Sequence, residues 1–189
     1  MNPDLFSLLP ISFETIDNFS SQNNNPFFVE DLINRIELIK HKLKFFPDKP
    51  KVAFITSVIP TMVSSNWVAE LVETAGGKPI IIQIEAESLT EIWEKISVEN
   101  PDIIIVMPLG FTIASTLQNI NLLLDLPNWN NTTAVKNNRV YIANAAEYFN
   151  VELLNLVDSL EILAEIIHPK YLNFGYEGTG WIKFETNIS

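Results

Sequence analysis

Cysteine is absent from this chain of 189 residues. Disulfides, thiolate metal sites, a cysteine nucleophile and a lipidated N-terminal cysteine are thereby excluded. Histidine is scarce, with His41 and His168 the only two. Positive charge is scarce as well. Against 12 Lys and Arg stand 23 Asp and Glu, for a net charge of −11 and a pI of about 4.5. Nucleic-acid binding needs clustered cations to meet the phosphates, so no nucleic-acid partner is expected. No uninterrupted apolar run approaches the roughly 18 residues of a membrane span, so no membrane span is expected either. Met1-Asn2-Pro3-Asp4 lacks the basic and long apolar stretches of an export signal. The chain is therefore expected to be cytoplasmic if residue 1 is its natural start. The glycine fingerprints GxGxxG and GxxxxGK[ST] are missing, and so is the GxSxG elbow.

What is present is a foldable composition: 47% apolar and 19% charged residues, with a mean hydropathy of +0.16. That excludes a disordered chain, and the length suits one domain with a core of its own. Residues 1–28 are mixed, with a short strand expected at Leu5-Phe6-Ser7-Leu8-Leu9 and a break at Ser20 to Pro26. From Val29 to Phe45 the apolar positions Val29, Leu32, Ile33, Ile36, Ile39 and Leu43 recur at spacings of three and four. That predicts one face of a long helix, closed by Pro47 and Pro50.

An alternation of strand and helix follows. Strands are expected at Lys51–Thr56, Pro79–Gln83, Asp102–Met107 and Arg139–Ala143. Helices are expected at Val63–Ala75 (stopped by Gly76-Gly77), Leu89–Val98, Phe111–Leu124 and Glu152–Ile167. The unbroken run Ile103-Ile104-Ile105-Val106 is typical of a parallel strand covered on both faces. The expected fold is a three-layer α/β/α lobe with a four-stranded, mostly parallel sheet, preceded by a long connecting helix. Its parts are residues 1–50 with that helix, the lobe at 51–169, and an irregular tail at 170–189.

Ligands of such sheets bind outside the carboxyl ends of the strands. That directs attention to the loops Ser57–Met62, Pro108–Phe111 and Asn144–Asn150. Val58-Ile59-Pro60-Thr61-Met62 and Met107-Pro108-Leu109-Gly110-Phe111 are apolar where solvent loops are usually polar. Glu147-Tyr148-Phe149-Asn150 sets two aromatics between an acid and an amide. Apolar walls with a few polar groups suit a small-molecule pocket, and they equally suit a core cap or a partner's footprint. His41 and His168 read as surface or capping residues, the second at a helix end where a cation suits the dipole. Glu70 with Glu73, and Glu91 with Glu94, read as solvated helix faces. No catalytic or metal-ligating set emerges.

Several segments carry a family likeness. Trp67 to Gly77, ending in Ala75-Gly76-Gly77, resembles the first helix of the C-terminal lobe of cobalamin-type substrate-binding proteins of ABC importers. Asn100-Pro101-Asp102 through Pro108-Leu109-Gly110-Phe111 resembles that family's N-P-D, hydrophobic run, P-x-G-[FY] segment. Trp129 and then Ala134-Val135-Lys136-Asn137-Asn138-Arg139-Val140-Tyr141 resemble its W-x(n)-A-V-[KR]-x-[GN]-[KR]-V-Y segment. Tyr148-Phe149-Asn150 and Leu156 to Pro169 resemble its closing helix, and the likeness covers roughly residues 51–169.

The resemblance implies a non-enzymatic binding protein, here a single lobe without its N-terminal counterpart. It implies a corrinoid such as cobalamin as ligand, with a ferric siderophore or haem as alternatives and no covalently bound cofactor. Its implied partners are an ABC permease or a separately encoded N-terminal lobe, and its implied location is periplasmic or extracytoplasmic. The residues placed at the ligand are Ser57, Val58, Met62, Pro108, Gly110, Phe111, Glu147, Tyr148 and Asn150. Two departures stand out: Thr56-Ser57 replaces the family's frequent Glu-Trp, and Val151-Glu152-Leu153 replaces an Arg and Gly-Pro. A scaffold or homodimerisation module is the rival reading, since an unopposed lobe exposes an apolar strip. A small enzyme on the same fold is the other.

Overall fold

The computed structural model describes residues 26–46, 48–56, 66–81, 89–150 and 153–185. The strand expected near Leu5, the break from Ser20, the loop Ser57–Met62, the start of the helix at Val63 and the strand end at Ile82-Gln83 lie outside these residues.

A five-stranded sheet forms the middle layer, in the order β2-β1-β3-β4-β5. Its strands are β1 (Lys51–Ile55), β2 (Lys78–Pro79), β3 (Ile103–Val106), β4 (Val140–Ala143) and β5 (Trp181–Lys183). The first four are parallel, with Val52 opposite Ile103 and Ile105 opposite Tyr141. The last is antiparallel to β4, with Trp181 opposite Ala143. The chain crosses from β2 back over β1 to β3, so the order reverses between β1 and β3. That reversal opens the crevice in which such sheets receive ligands.

Strand periodicity decides which side chain enters which half of the core. Val52, Phe54, Ile103, Ile105, Tyr141 and Ala143 face one cluster, while Ala53, Ile55, Ile104, Val106, Val140 and Ile142 face the other. The first cluster is covered by α1 (Pro26–Leu43), α2 (Asn66–Thr74) and α8 (Leu153–Ile167). The second is covered by α3 (Leu89–Glu99), α4 (Ile113–Gln118), α5 (Asn121–Leu124), a 3₁₀ turn (Trp129–Asn131) and α6 (Thr133–Lys136). A short helix, α7 (Ala145–Tyr148), follows β4.

Three expectations are corrected. The strand expected over Pro79–Gln83 is found at Lys78–Pro79, with Ile80 and Ile81 outside it. The helix expected over Phe111–Leu124 is two helices, α4 and α5. Asn119 closes α4, and its side-chain amide donates to Ser115 O at 2.9 Å, offering the backbone an alternative to another helical turn. The tail expected to be irregular contains β5, which raises the strand count from four to five. Three residues are too few for periodicity to show, and tertiary contacts place this strand.

Those contacts come from α8, whose Asp158, Glu161 and Glu165 share one face at spacings of three and four. Glu161 takes a bidentate pair from Arg35 on α1, with Nε–Oε1 at 2.9 Å and Nη2–Oε2 at 2.6 Å. Asp158 pairs with the same Nη2. Tyr176 Oη lies 3.0 Å from both Asp158 Oδ1 and Glu161 Oε2 and shares its one proton between them. The hydrogen bond to Glu161 raises the Arg35 pKa further above its ordinary value, against the opposing effect of burial. Glu165 accepts the backbone N–H of Phe174, Gly175 and Tyr176, and Trp181 Nε1 at 3.1 Å.

The Ala75-Gly76-Gly77 turn has a steric reason. Gly76 sits at φ +84°, and a Cβ on Gly77 would come within 2.9 Å of Val52 Cγ2 and of Val72 Cγ1 and 3.1 Å of Ile167 Cδ1. Gly77→Ala is therefore expected to cost about 1–3 kcal/mol through overpacking, read by urea unfolding; an unchanged midpoint would contradict this contact. Arg35→Ala strands two carboxylates, and a loss of about 2–3 kcal/mol is expected, below the fully buried case because the Arg35 side chain is 23% exposed. A loss under about 0.5 kcal/mol, ordinary for surface changes, would make the cluster ornamental.

Candidate functional site

The carboxyl ends of β1, β3 and β4 lie side by side on one edge of the sheet. There the chain leaving β3 is stitched to both neighbours. Leu109 N–H donates to Thr56 O at 2.9 Å, and Ala146 N–H donates to Phe111 O at 2.9 Å. The turn Pro108–Phe111 closes on itself through Phe111 N–H to Pro108 O at 2.9 Å. Gly110 occupies φ +79°, a backbone state that favours glycine, and nothing lies within 4 Å of where its Cβ would stand.

Of the residues placed at the ligand from sequence, Ser57, Val58 and Met62 lie outside the described residues. Pro108 is buried and serves the turn, Gly110 and Glu147 are exposed, and Phe111, Tyr148 and Asn150 are half-buried. The last three sit on segments joined by the Ala146–Phe111 bond, with Asn150 N–H donating to Tyr148 O at 3.1 Å. Tyr148 is braced from two sides. Its carbonyl accepts from Ser159 Oγ at 2.6 Å, and its ring meets Tyr176 edge-on at 5.6 Å. Burial pushes the Tyr148 phenol pKa up, and the nearby Glu147 carboxylate adds to this. At neutral pH the phenol is a hydrogen-bond donor, not a phenolate.

Sequence reasoning missed the C-terminal turn. Asn144 N–H donates to Gly180 O at 2.8 Å, and its side-chain amide reaches Glu147 Oε2 at 3.0 Å and Thr179 O at 3.3 Å. Residues 176–180 thus stand beside the loop after β4. The available signal was Gly175, Gly178 and Gly180 ahead of Trp181-Ile182, a glycine turn before a short apolar strand.

Other expectations resolve plainly. Glu70, Glu73, Glu91 and Glu94 are exposed on their helices. His168 is not a dipole-capping cation. It is 7% exposed, lies beside Phe46, and has Nε2 3.3 Å from Gly76 O. Burial lowers its pKa, and Arg139 lowers it further. Two grooves of the described residues lie at the opposite edge, where the parallel strands begin. One, of about 500 Å³, is flanked by Lys51, Lys78 and Lys95, and the other, of about 420 Å³, by Asp102, Arg139 and His168. Among the described residues no helix is long and apolar enough to cross a membrane.

The chain belongs to the periplasmic binding protein family, whose model matches residues 19–147. Solved structures share its fold. An ABC transporter substrate-binding protein from Listeria monocytogenes EGD-e matches with a TM-score of 0.62 at 24% identity, over 82% of this chain and 62% of that one. IsdE of S. aureus complexed with heme gives 0.62 at 21%, over 82% and 63%. The TroA-like periplasmic binding protein FepB from Veillonella parvula gives 0.57 at 21%, over 82% and 55%. This chain thus spans less than two thirds of the length of each. Among curated proteins none matches. The family and these neighbours are binding proteins and not enzymes.

The buried histidine gives a pH prediction. Its folded pKa lies below the unfolded value of about 6.5, so the unfolded chain takes up the proton first. The contribution of neutral His168 is complete above about pH 6.5 and is lost as pH falls towards the lowered folded value. Melting temperatures at pH 7.5 and 5.5 are expected to fall less for His168→Gln than for the parent. Equal falls would remove this role.

Proposed function

We propose that the chain is the ligand-binding lobe of an ABC-importer substrate-binding protein, that its ligand is a corrinoid such as cobalamin, and that an ABC permease receives the ligand on the outer side of the membrane. The observation that carries this reading is the joined edge of β3 and β4. There Phe111 and Tyr148, both half-buried, are held on loops tied by backbone hydrogen bonds. Fixed aromatic groups around an open glycine offer contact area to a large flat ligand, and burying that area supplies about 25 cal/mol per Å².

Haem is the second reading, since a family neighbour is complexed with heme. The chemistry of the described edge favours the corrinoid. Haem iron takes an axial donor from its protein, typically His, Tyr, Met or Cys. Among the described donors of these types, His168 sits at the opposite edge, His41 lies on α1, Met107 is buried in the core, and Tyr148 is braced edge-on by Tyr176. A corrinoid with both axial ligands in place asks only for contact and hydrogen bonds.

Titration of the chain with cyanocobalamin, followed by tryptophan fluorescence, is the direct test. Trp67 lies in the first turn of α2, and Trp181 begins β5, so both report on this edge. Saturable quenching at micromolar ligand is expected, and Tyr148→Ala is expected to weaken it about tenfold. Absence of saturation would end the corrinoid reading. A mass that rises with concentration in sedimentation, with no binding, would favour a dimerisation module.

A further inference from the structure

We infer that the C-terminal turn from Tyr176 to Gly180 is a wall of the ligand site, and that with Glu147 it makes an acidic rim selecting an uncharged, carboxamide-bearing macrocycle over a polycarboxylate one. This rests on the ligand-binding reading of the strand-end loops and adds both a segment and a selectivity to it.

Placement is the first ground. Because β5 runs antiparallel to β4 with Trp181 opposite Ala143, the residues preceding Trp181 emerge at the carboxyl end of β4. Asn144 bonds to them twice, by N–H to Gly180 O and by its side chain to Thr179 O. The same side chain holds Glu147 Oε2 at 3.0 Å, so one asparagine spaces the two segments. Tyr176 meets the Tyr148 ring edge-on.

Rigidity is the second ground. Glu165, 3% exposed, collects three successive backbone N–H groups and the Trp181 indole N–H beneath the turn. Gly178 N–H closes it to Trp181 O at 2.7 Å. Gly178 stands at φ +92°, with nothing within 4 Å of where its Cβ would be. The turn is clamped from below and open above, as a preorganised wall is.

Charge is the third. Glu177 and Thr179 are exposed on the turn, and Glu147 is exposed across from it. Segments 108–112, 144–150 and 174–181 contain no Lys or Arg, and their only charged residues are Glu147 and Glu177. Arg35 is committed to Asp158 and Glu161. Carboxylates accept from amide N–H₂ donors and repel carboxylates. A corrinoid ring edged with carboxamides meets this rim with donors, whereas the propionates of haem meet it with like charge.

The test measures the affinity of the full chain for cyanocobalamin and for haemin at low and moderate salt. The parent, Glu147→Gln, Glu177→Gln and the double variant are compared, with Glu94→Gln on α3 controlling for net charge. Each rim substitution is expected to weaken cyanocobalamin about fivefold, as a charged acceptor becomes neutral, and to strengthen haemin by a similar factor at low salt. The control is expected to change neither. If Glu147→Gln shifts the preference and Glu177→Gln does not, the turn is no part of the site. If the parent binds cyanocobalamin and neither rim variant changes the preference, the rim fails while the ligand-binding reading stands. If the parent binds neither probe, that reading falls and takes this one with it.

Discussion

Three carboxylates on one face of α8 hold the ends of this lobe in place. Asp158 and Glu161 receive Arg35 from the leading helix, and Glu165 receives the backbone of the C-terminal turn. Burying a carboxylate is costly unless its oxygens are matched by donors. Here the matching comes from segments far apart in the chain, since Arg35 lies 126 residues before Glu161. Each partner must therefore be in place before the others are satisfied, which couples the leading helix, α8 and β5 into one arrangement. An apolar face on α8 alone would permit sliding, whereas bidentate and fork-like contacts specify position.

The motifs behind the family likeness divide into two physical roles. Asn100 has φ +48°, accepts Thr133 N–H on its side chain at 2.9 Å, and leads into Pro101, whose carbonyl accepts Ala134 N–H. Asp102 Oδ2 takes the Lys51 N–H at 2.8 Å. The N-P-D segment is thus a clasp where β1 and β3 begin. Asn138, at the Gly-or-Asn position before Arg139, has φ +53°, a state that Asn tolerates better than most residues. These features specify the fold at the edge remote from the candidate site. Only Pro108-Leu109-Gly110-Phe111 and Tyr148-Phe149-Asn150 lie where a ligand would, so the likeness speaks more strongly of fold than of cargo.

That division explains what could be read from the residues. The parallel strands were legible because Ile103 to Val106 and Val140 to Ala143 are buried on both faces, and burial of that kind writes an unbroken apolar run. Helix α1 was legible from Leu32, Ile36 and Ile39, all fully buried at helical spacing. Strand β5 was not. Only Trp181 of its three residues is buried, and its position is dictated by Glu165 and by pairing with β4. Helix α8 was found from its apolar positions, yet nothing in the sequence pattern singled out the acids on the same helix. Composition carries no mark of a carboxylate whose donors arrive from elsewhere. The strand-end loops after β3 and β4 were located by topology, while the adjoining turn of residues 176–180 depended on the strand that was missed.

The consequence for the candidate site is a matter of stiffness. Tyr148 is held through its carbonyl by Ser159, through its N–H by Asn144 O, and through its ring by Tyr176. Tyr176 in turn is fixed by Asp158 and Glu161, which also hold Arg35. Arg35 Nη2 also donates to Tyr176 Oη at 3.3 Å, so the aromatic group at the ligand edge is two contacts removed from the leading helix. A side chain already fixed in this way loses little rotamer freedom on binding, so more of its contact energy survives as affinity. The same path means that a ligand displacing Tyr148 must disturb Tyr176 and then a partly buried ion cluster, in which an unpaired charge is costly. Adaptation to ligand is thus directed away from this wall, towards exposed Gly110 and the rim carboxylates, whose rearrangement breaks no buried charge pair.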